Sequence, residues 1–153
     1  MAIIALITWV ITLSGGLFML AIWLIEYDRE FQRTAATRLP IPVLSTHALL
    51  AVGGLVVWGL FAVTDIGAVA RVAAVVLLGV ALTGLFMAAR WIGVYRSFAA
   101  GRTARAAGAG LLVAERPVPP ERHFPVTVVV IHGVFAVVTL LLVLLTAVGF
   151  RQH

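Results

Sequence analysis

Two histidines stand where ionisable side chains are rare. His47 and His132 each lie inside a long stretch without Asp, Glu, Lys or Arg. Each follows a proline by seven residues, Pro40 and Pro125. Imidazoles in apolar surroundings are suited to two tasks: ligating a metal through a ring nitrogen, or handling a proton. One turn deeper on the same helical faces the neighbours are small, Ala51 and Gly54 beside His47, Ala136 and Thr139 beside His132. Small residues in line with a histidine leave room for a backbone or a flat ligand.

A second set of residues recurs with the histidines. Gly16, Met19, Trp23 and Tyr27 reappear as Gly84, Met87, Trp91 and Tyr95, an offset of 68. The proline–histidine blocks are offset by 85, so the second copy carries a 17-residue insertion. Spacings of three, four and four keep each aromatic stripe on one helix face. The chain therefore reads as two tandem copies of one unit, about 3–64 and about 68–149, within a single transmembrane domain covering 1–153.

Composition identifies the elements that must hold these residues. Of 153 residues, 63% are hydrophobic and 11% charged, against about 25% charged in a soluble domain. Four stretches lack charge: 1–25, 39–64, 72–89 and 124–150. About 20 apolar residues cross the hydrocarbon of a bilayer, so four transmembrane helices are expected. Arg71 and Arg90, flanking the shortest stretch, can snorkel outward. The first stretch has no basic residue before it and matches the third in its motif. It is read as a retained helix, not a cleaved signal. The expected helices run from Ile3 to Tyr27, from the Pro40 region to Thr64, from Ala68 to Phe98 and from Pro125 to about Gly149. Residues 65–67 form a tight turn, 99–110 a frayed helix end, and 117–120 an extended segment.

The fold class that follows is an all-α integral membrane protein, two αα-hairpins related by a pseudo-two-fold axis and packed as a four-helix bundle. There is no cysteine, which excludes disulfides and thiolate chemistry. The net charge of +5 comes from eleven arginines and no lysine, and the setting makes lipid, not nucleic acid, the partner. Nine of the arginines fall in the first and third connections. The positive-inside rule then places those loops in the cytoplasm of a bacterial cell membrane and both termini outside.

Two imidazoles at one depth, on helices across a two-fold axis, suit the two axial positions of a b-type haem. His47 and His132 are the expected iron ligands. Ala51, Gly54, Ala136 and Thr139 would give the ring room, Trp23 and Trp91 would wall it, and Arg38, Arg90, Arg96 and Arg122 would meet its propionates. The plan is similar to that of the four-helix b-type cytochrome anchors of respiratory enzymes, a resemblance of architecture alone. It implies electron transfer with a redox partner, a quinone or a larger membrane complex.

The alternatives are a cofactor-free membrane scaffold or accessory subunit, with histidines as interhelical glue, and a small proton-handling module. No acidic residue lies within the apolar helices to support the last. Trp23, Trp91, Tyr27 and Tyr95 also fit an aromatic belt at the headgroup level. Met19 and Met87 fit core packing. His123 reads as an interfacial loop residue, and Glu26, Asp28 and Glu30 as a solvated charge cluster with Arg29 and Arg33. No phosphate-binding glycine loop, metalloprotease helix or nucleophile triad is present.

Overall fold

The computed structural model describes residues 1–27, 37–106 and 118–149. Among these residues four α-helices make up the bundle: α1 (Ala2–Glu26), α2 (Ile41–Thr64), α3 (Gly67–Ala106) and α4 (Val126–Ala147). Each is long and apolar enough to cross a membrane. No strand occurs among the described residues. Asp28, Arg29, Glu30, Arg33, Arg116, Arg151 and His153 lie outside them, as do the glycines at 108 and 110.

Prolines set where α2 and α4 begin. Pro40 and Pro125 occupy the N-cap positions with extended backbone. Their carbonyls accept the first helical bonds, from Leu44 and from Val129. A proline there loses nothing, because the first-turn N–H groups have no helical partner. Seven residues on, each histidine sits about 10 Å into its helix. Asp65 ends α2 in the left-handed conformation, φ 54°, its N–H bonded to the Phe61 carbonyl. That turn leads directly into α3.

Helix α3 runs further than the sequence suggested, to Ala106 rather than Phe98. Alanine and arginine are strong helix formers, and the stretch after Phe98 is rich in both, so the helix propagates instead of fraying. At 40 residues it is about 60 Å long, far more than a bilayer requires. The segment before α4 is partly helical too: Pro119 is extended, as expected of 117–120, but a 3-10 turn begins at Pro120 and runs to His123, and Pro117 lies outside the described residues.

The closest helix pairs are α1 with α4 and α2 with α3. The pairs α1/α2 and α3/α4 touch less, and α1/α3 and α2/α4 lie on the diagonals. Outside faces are apolar: Leu49, Val63, Leu82 and Leu85 are 70% or more exposed. Hydroxyls on the helices bond within them. Thr12, Ser14, Ser45 and Thr139 each donate to the carbonyl four residues back, which satisfies a polar group without water.

Packing is densest toward the 65–67 turn. There Trp9 and Trp58 are buried against Ala5, Phe61, Ala73 and Val143. The Trp9 indole donates to the Ala51 carbonyl at 3.2 Å, and the Trp58 indole to Ala2 at 3.1 Å. Gly54 makes this possible. A Cβ at that position would stand 2.8 Å from the Trp9 ring.

Candidate functional site: two facing histidines

His47 and His132 come from α2 and α4, one diagonal of the bundle, and their rings face inward. The ring centroids are 6.4 Å apart and tilted by 57°. Each ring is gripped by the helix its own helix packs closest to. His132 lies on α1, where a Cβ at Gly16 would be 3.1 Å from its Cε1; His47 lies on α3, where a Cβ at Gly84 would be 3.0 Å away. The two glycines serve as flat seats for the two imidazoles.

The hydrogen bonds of the rings follow the same pattern. His132 Nδ1 is 2.9 Å from the Thr12 carbonyl, and His47 Nδ1 is 3.0 Å from the Val80 carbonyl. Those carbonyls are 68 positions apart, the offset that separates Gly16 from Gly84. His47 Nδ1 is also 3.1 Å from the Thr83 hydroxyl, whose own proton goes back to Gly79 or Val80. A carbonyl oxygen only accepts, so each Nδ1 carries the ring proton. In the neutral imidazole, Nε2 is then a bare lone pair. Neither Nε2 has a hydrogen-bond partner among the described residues.

The aromatic stripes flank this pair from the other diagonal. Trp23 stacks on Tyr27 at 4.5 Å on α1, and Trp91 lies 5.5 Å from Tyr95 on α3. The two tryptophans do not form a belt facing lipid. They are 4% and 9% exposed and point into the bundle. Unlike those of Trp9 and Trp58, their indole N–H groups are buried with no hydrogen-bond partner among the described residues. A buried orphan donor costs about 1–3 kcal/mol, and the described residues include two, 68 positions apart.

Beyond the tryptophans the bundle end is closed by the 3-10 turn, which packs on both α1 and α3. Its Glu121 is fully buried. The carboxylate accepts from the Arg38 backbone N–H at 2.7 Å and from the Thr37 hydroxyl at 3.1 Å. Arg90 Nε donates to the Arg38 carbonyl. Arg122 lies over the Tyr95 ring at 5.1 Å and Arg90 over Phe86 at 5.4 Å. His123 is half exposed, 3.6 Å from Glu26, an ion pair when the ring is protonated. Sequence reasoning missed the role of Glu121. Its one legible signal was an acidic residue directly after two prolines.

The small residues are placed as follows. Gly54 is filled by the Trp9 ring, and the Ala51 carbonyl is taken by the same indole. Thr139 is buried, donates to Phe135, and lies 3.5 Å from the Thr12 hydroxyl. Ala136 is half-buried on the same face. Trp9 and Thr139 thus lie on the side of the histidines that faces the 65–67 turn. A half-open cleft of about 360 Å³ at the other end, lined by Met1, Asp65, Arg71 and Thr146, does not reach either histidine.

No cluster of three or more His, Cys, Asp or Glu side chains that could hold a metal ion occurs among the described residues. The site offers two imidazole donors and no more. No protein-family model, curated protein or solved structure matches this chain.

Proposed function

We propose that this chain is a bacterial integral membrane protein of two tandem hairpins that holds one b-type haem between His47 and His132, for electron transfer alone or within a redox complex. The observation that carries the reading is the paired tautomer. Two facing rings are each fixed by an equivalent carbonyl so that Nε2 is the nitrogen left for a ligand. Metal-binding histidines are oriented by such a bond on their other nitrogen.

The donor set narrows the metal. A bare Zn²⁺ takes three or four protein ligands, and this site has two. A porphyrin brings the other four itself and needs only axial partners. The 6.4 Å spacing of the ring centroids would let His47 and His132 hold one metal ion between them. A flat group between the rings would present its edges to α1 and α3, where Trp23 and Trp91 would supply aromatic walls, while Gly16 and Gly84 let the imidazoles themselves lie close against those helices.

When bound, the haem supplies a reversible one-electron couple at its iron. The chain does the rest. His47 and His132 hold the ring, and the Thr12 and Val80 carbonyls keep the imidazoles basic and oriented. The Pro120–His123 turn and the tryptophans keep water out. Trp9 and Trp58 fill the other half of the bundle, leaving no place for a second haem. With the arginine-rich loops in the cytoplasm and the termini outside, His47 and His132 would hold the group near the cytoplasmic side, where a partner protein or a quinone would complete the redox path.

The test is optical. The purified protein, supplemented with haem in nanodiscs, is expected to give a Soret band and the sharp reduced bands of a bis-imidazole haem. His47→Ala and His132→Ala should each abolish that spectrum, and His123→Ala should leave it unchanged. Wild-type protein without Soret absorbance after supplementation overturns the reading. The second reading, a cofactor-free scaffold, would then stand, since 6.4 Å is also an ordinary distance for two packed aromatic rings.

A further inference from the structure

We infer that Trp23 and Trp91 form a two-donor clamp for a pair of carboxylates, the two propionates on one edge of the porphyrin. The inference rests on the haem reading above and assigns the polar end of that site.

Four tryptophans divide two and two. Trp9 and Trp58 donate to the carbonyls of Ala51 and Ala2. Trp23 and Trp91 are buried too, at 4% and 9% exposed, and their N–H groups find no acceptor among the described residues. An indole N–H can only donate, and buried donors are almost always paired. Two failures at positions 68 residues apart, one on each helix of a diagonal, point to an acceptor that is itself two-pronged. A porphyrin carries its two propionates side by side.

Position and charge agree. Each tryptophan is seven residues from its seat glycine, about 10 Å along the helix toward the arginine-rich end, and a helical side chain leans back toward the N-terminus. The indoles therefore lie between the histidine level and the bundle end, where an acidic edge of a ring ligated by those histidines would reach. Arg38, Arg90 and Arg122 gather at that end, a favourable field for anions. The buried carboxylate there does not compete for the indoles, because Glu121 is taken by the Arg38 N–H and the Thr37 hydroxyl. The 3-10 turn that carries it packs on both tryptophan-bearing helices, which keeps the donors and their acceptors away from water.

The experiment uses the full chain in nanodiscs, ¹⁵N-labelled at tryptophan, with cobalt(III) protoporphyrin IX as a diamagnetic, six-coordinate probe. Two of the four indole N–H signals, assigned by Trp23→Phe and Trp91→Phe, should move on binding. The same probe as its dimethyl ester keeps the ring and its magnetic effect but loses the carboxylate charge. It should move them less. In parallel, each Phe variant should retain haem roughly 10-fold less tightly, the scale of a hydrogen bond to a charged group, with bis-imidazole bands preserved. That penalty should shrink when haem dimethyl ester is used. Normal Soret formation with identical indole shifts for acid and ester, or Phe variants that hold haem as wild type does, overturns the clamp and leaves the haem reading intact. Failure of the wild type to take up haem at all removes both.

Discussion

Gly84→Ala and Gly16→Ala probe the histidine seats with one methyl group each. The added Cβ at Gly84 would stand 3.0 Å from His47 Cε1 and 3.5 Å from its Nδ1. At Gly16 the corresponding distances to His132 are 3.1 and 3.6 Å. Relaxed contact between such atoms begins at about 3.5 Å, so each imidazole must yield by several tenths of an ångström. The movement tilts Nδ1 away from the Val80 or Thr12 carbonyl and weakens a bond worth about 0.5–1.5 kcal/mol. Against this, alanine favours a helix over glycine by about 1 kcal/mol. The two terms nearly cancel in folding, so stability of the apoprotein should change by less than about 1 kcal/mol in either direction. They do not cancel in binding, because only the histidine orientation matters there. Haem affinity should fall roughly 3- to 10-fold in each variant. Gly53→Ala and Gly93→Ala are the controls, since nothing lies within 4 Å of a Cβ at either position. They should gain stability and bind haem normally. Soret titration and thermal unfolding of the same nanodisc samples read both quantities. Haem uptake by Gly84→Ala and Gly16→Ala equal to wild type, or an equal loss in Gly93→Ala, would refute the seat argument.

Three further outcomes are expected. A cysteine replacing Ile66, in the turn between α2 and α3, should react with an impermeant reagent in intact cells; labelling only after lysis would reverse the topology derived from the arginines. Glu121→Ala should destabilise the protein by about 1–3 kcal/mol, because it empties a buried site and leaves the part-buried Arg38 N–H without its acceptor, whereas Glu121→Gln keeps an acceptor oxygen and should cost less in the same melt. Trp9→Ala should cost about 3–5 kcal/mol, the range for emptying a buried aromatic site, and an unfolding midpoint close to wild type would show that the Trp9–Gly54 contact does not organise the core.

Which histidine faces inward, and which residues lie beside it, was legible in the chain. Helix periodicity puts 47, 51 and 54 on one face and 132, 136 and 139 on another, and all six are buried or half-buried. The four apolar elements were legible too. Crossing hydrocarbon demands a run of about 20 uncharged residues, a rule that depends on no tertiary contact. The prolines marked the starts of α2 and α4 for the same kind of reason, since a missing N–H is harmless only in a first turn. The length of α3 was less clear, because a stretch of alanine, glycine and arginine reads equally as a loop or as a solvated helix.

Tertiary structure alone decided what fills each gap. Gly54 reads as room for a ligand, yet the Trp9 ring occupies it, because α1 brings an indole to that height. Trp23 and Trp91 read first as interfacial anchors and second as pocket walls; only the rotation of α1 and α3 about their axes settled that they turn inward and keep their N–H groups buried. Glu121 reads as one charge among several, and its burial depends on a backbone N–H 83 residues earlier in the chain. Local pattern fixes which atoms a helix can present along its own length. The partner that meets each atom comes from another helix, and that pairing is set by how the four helices pack.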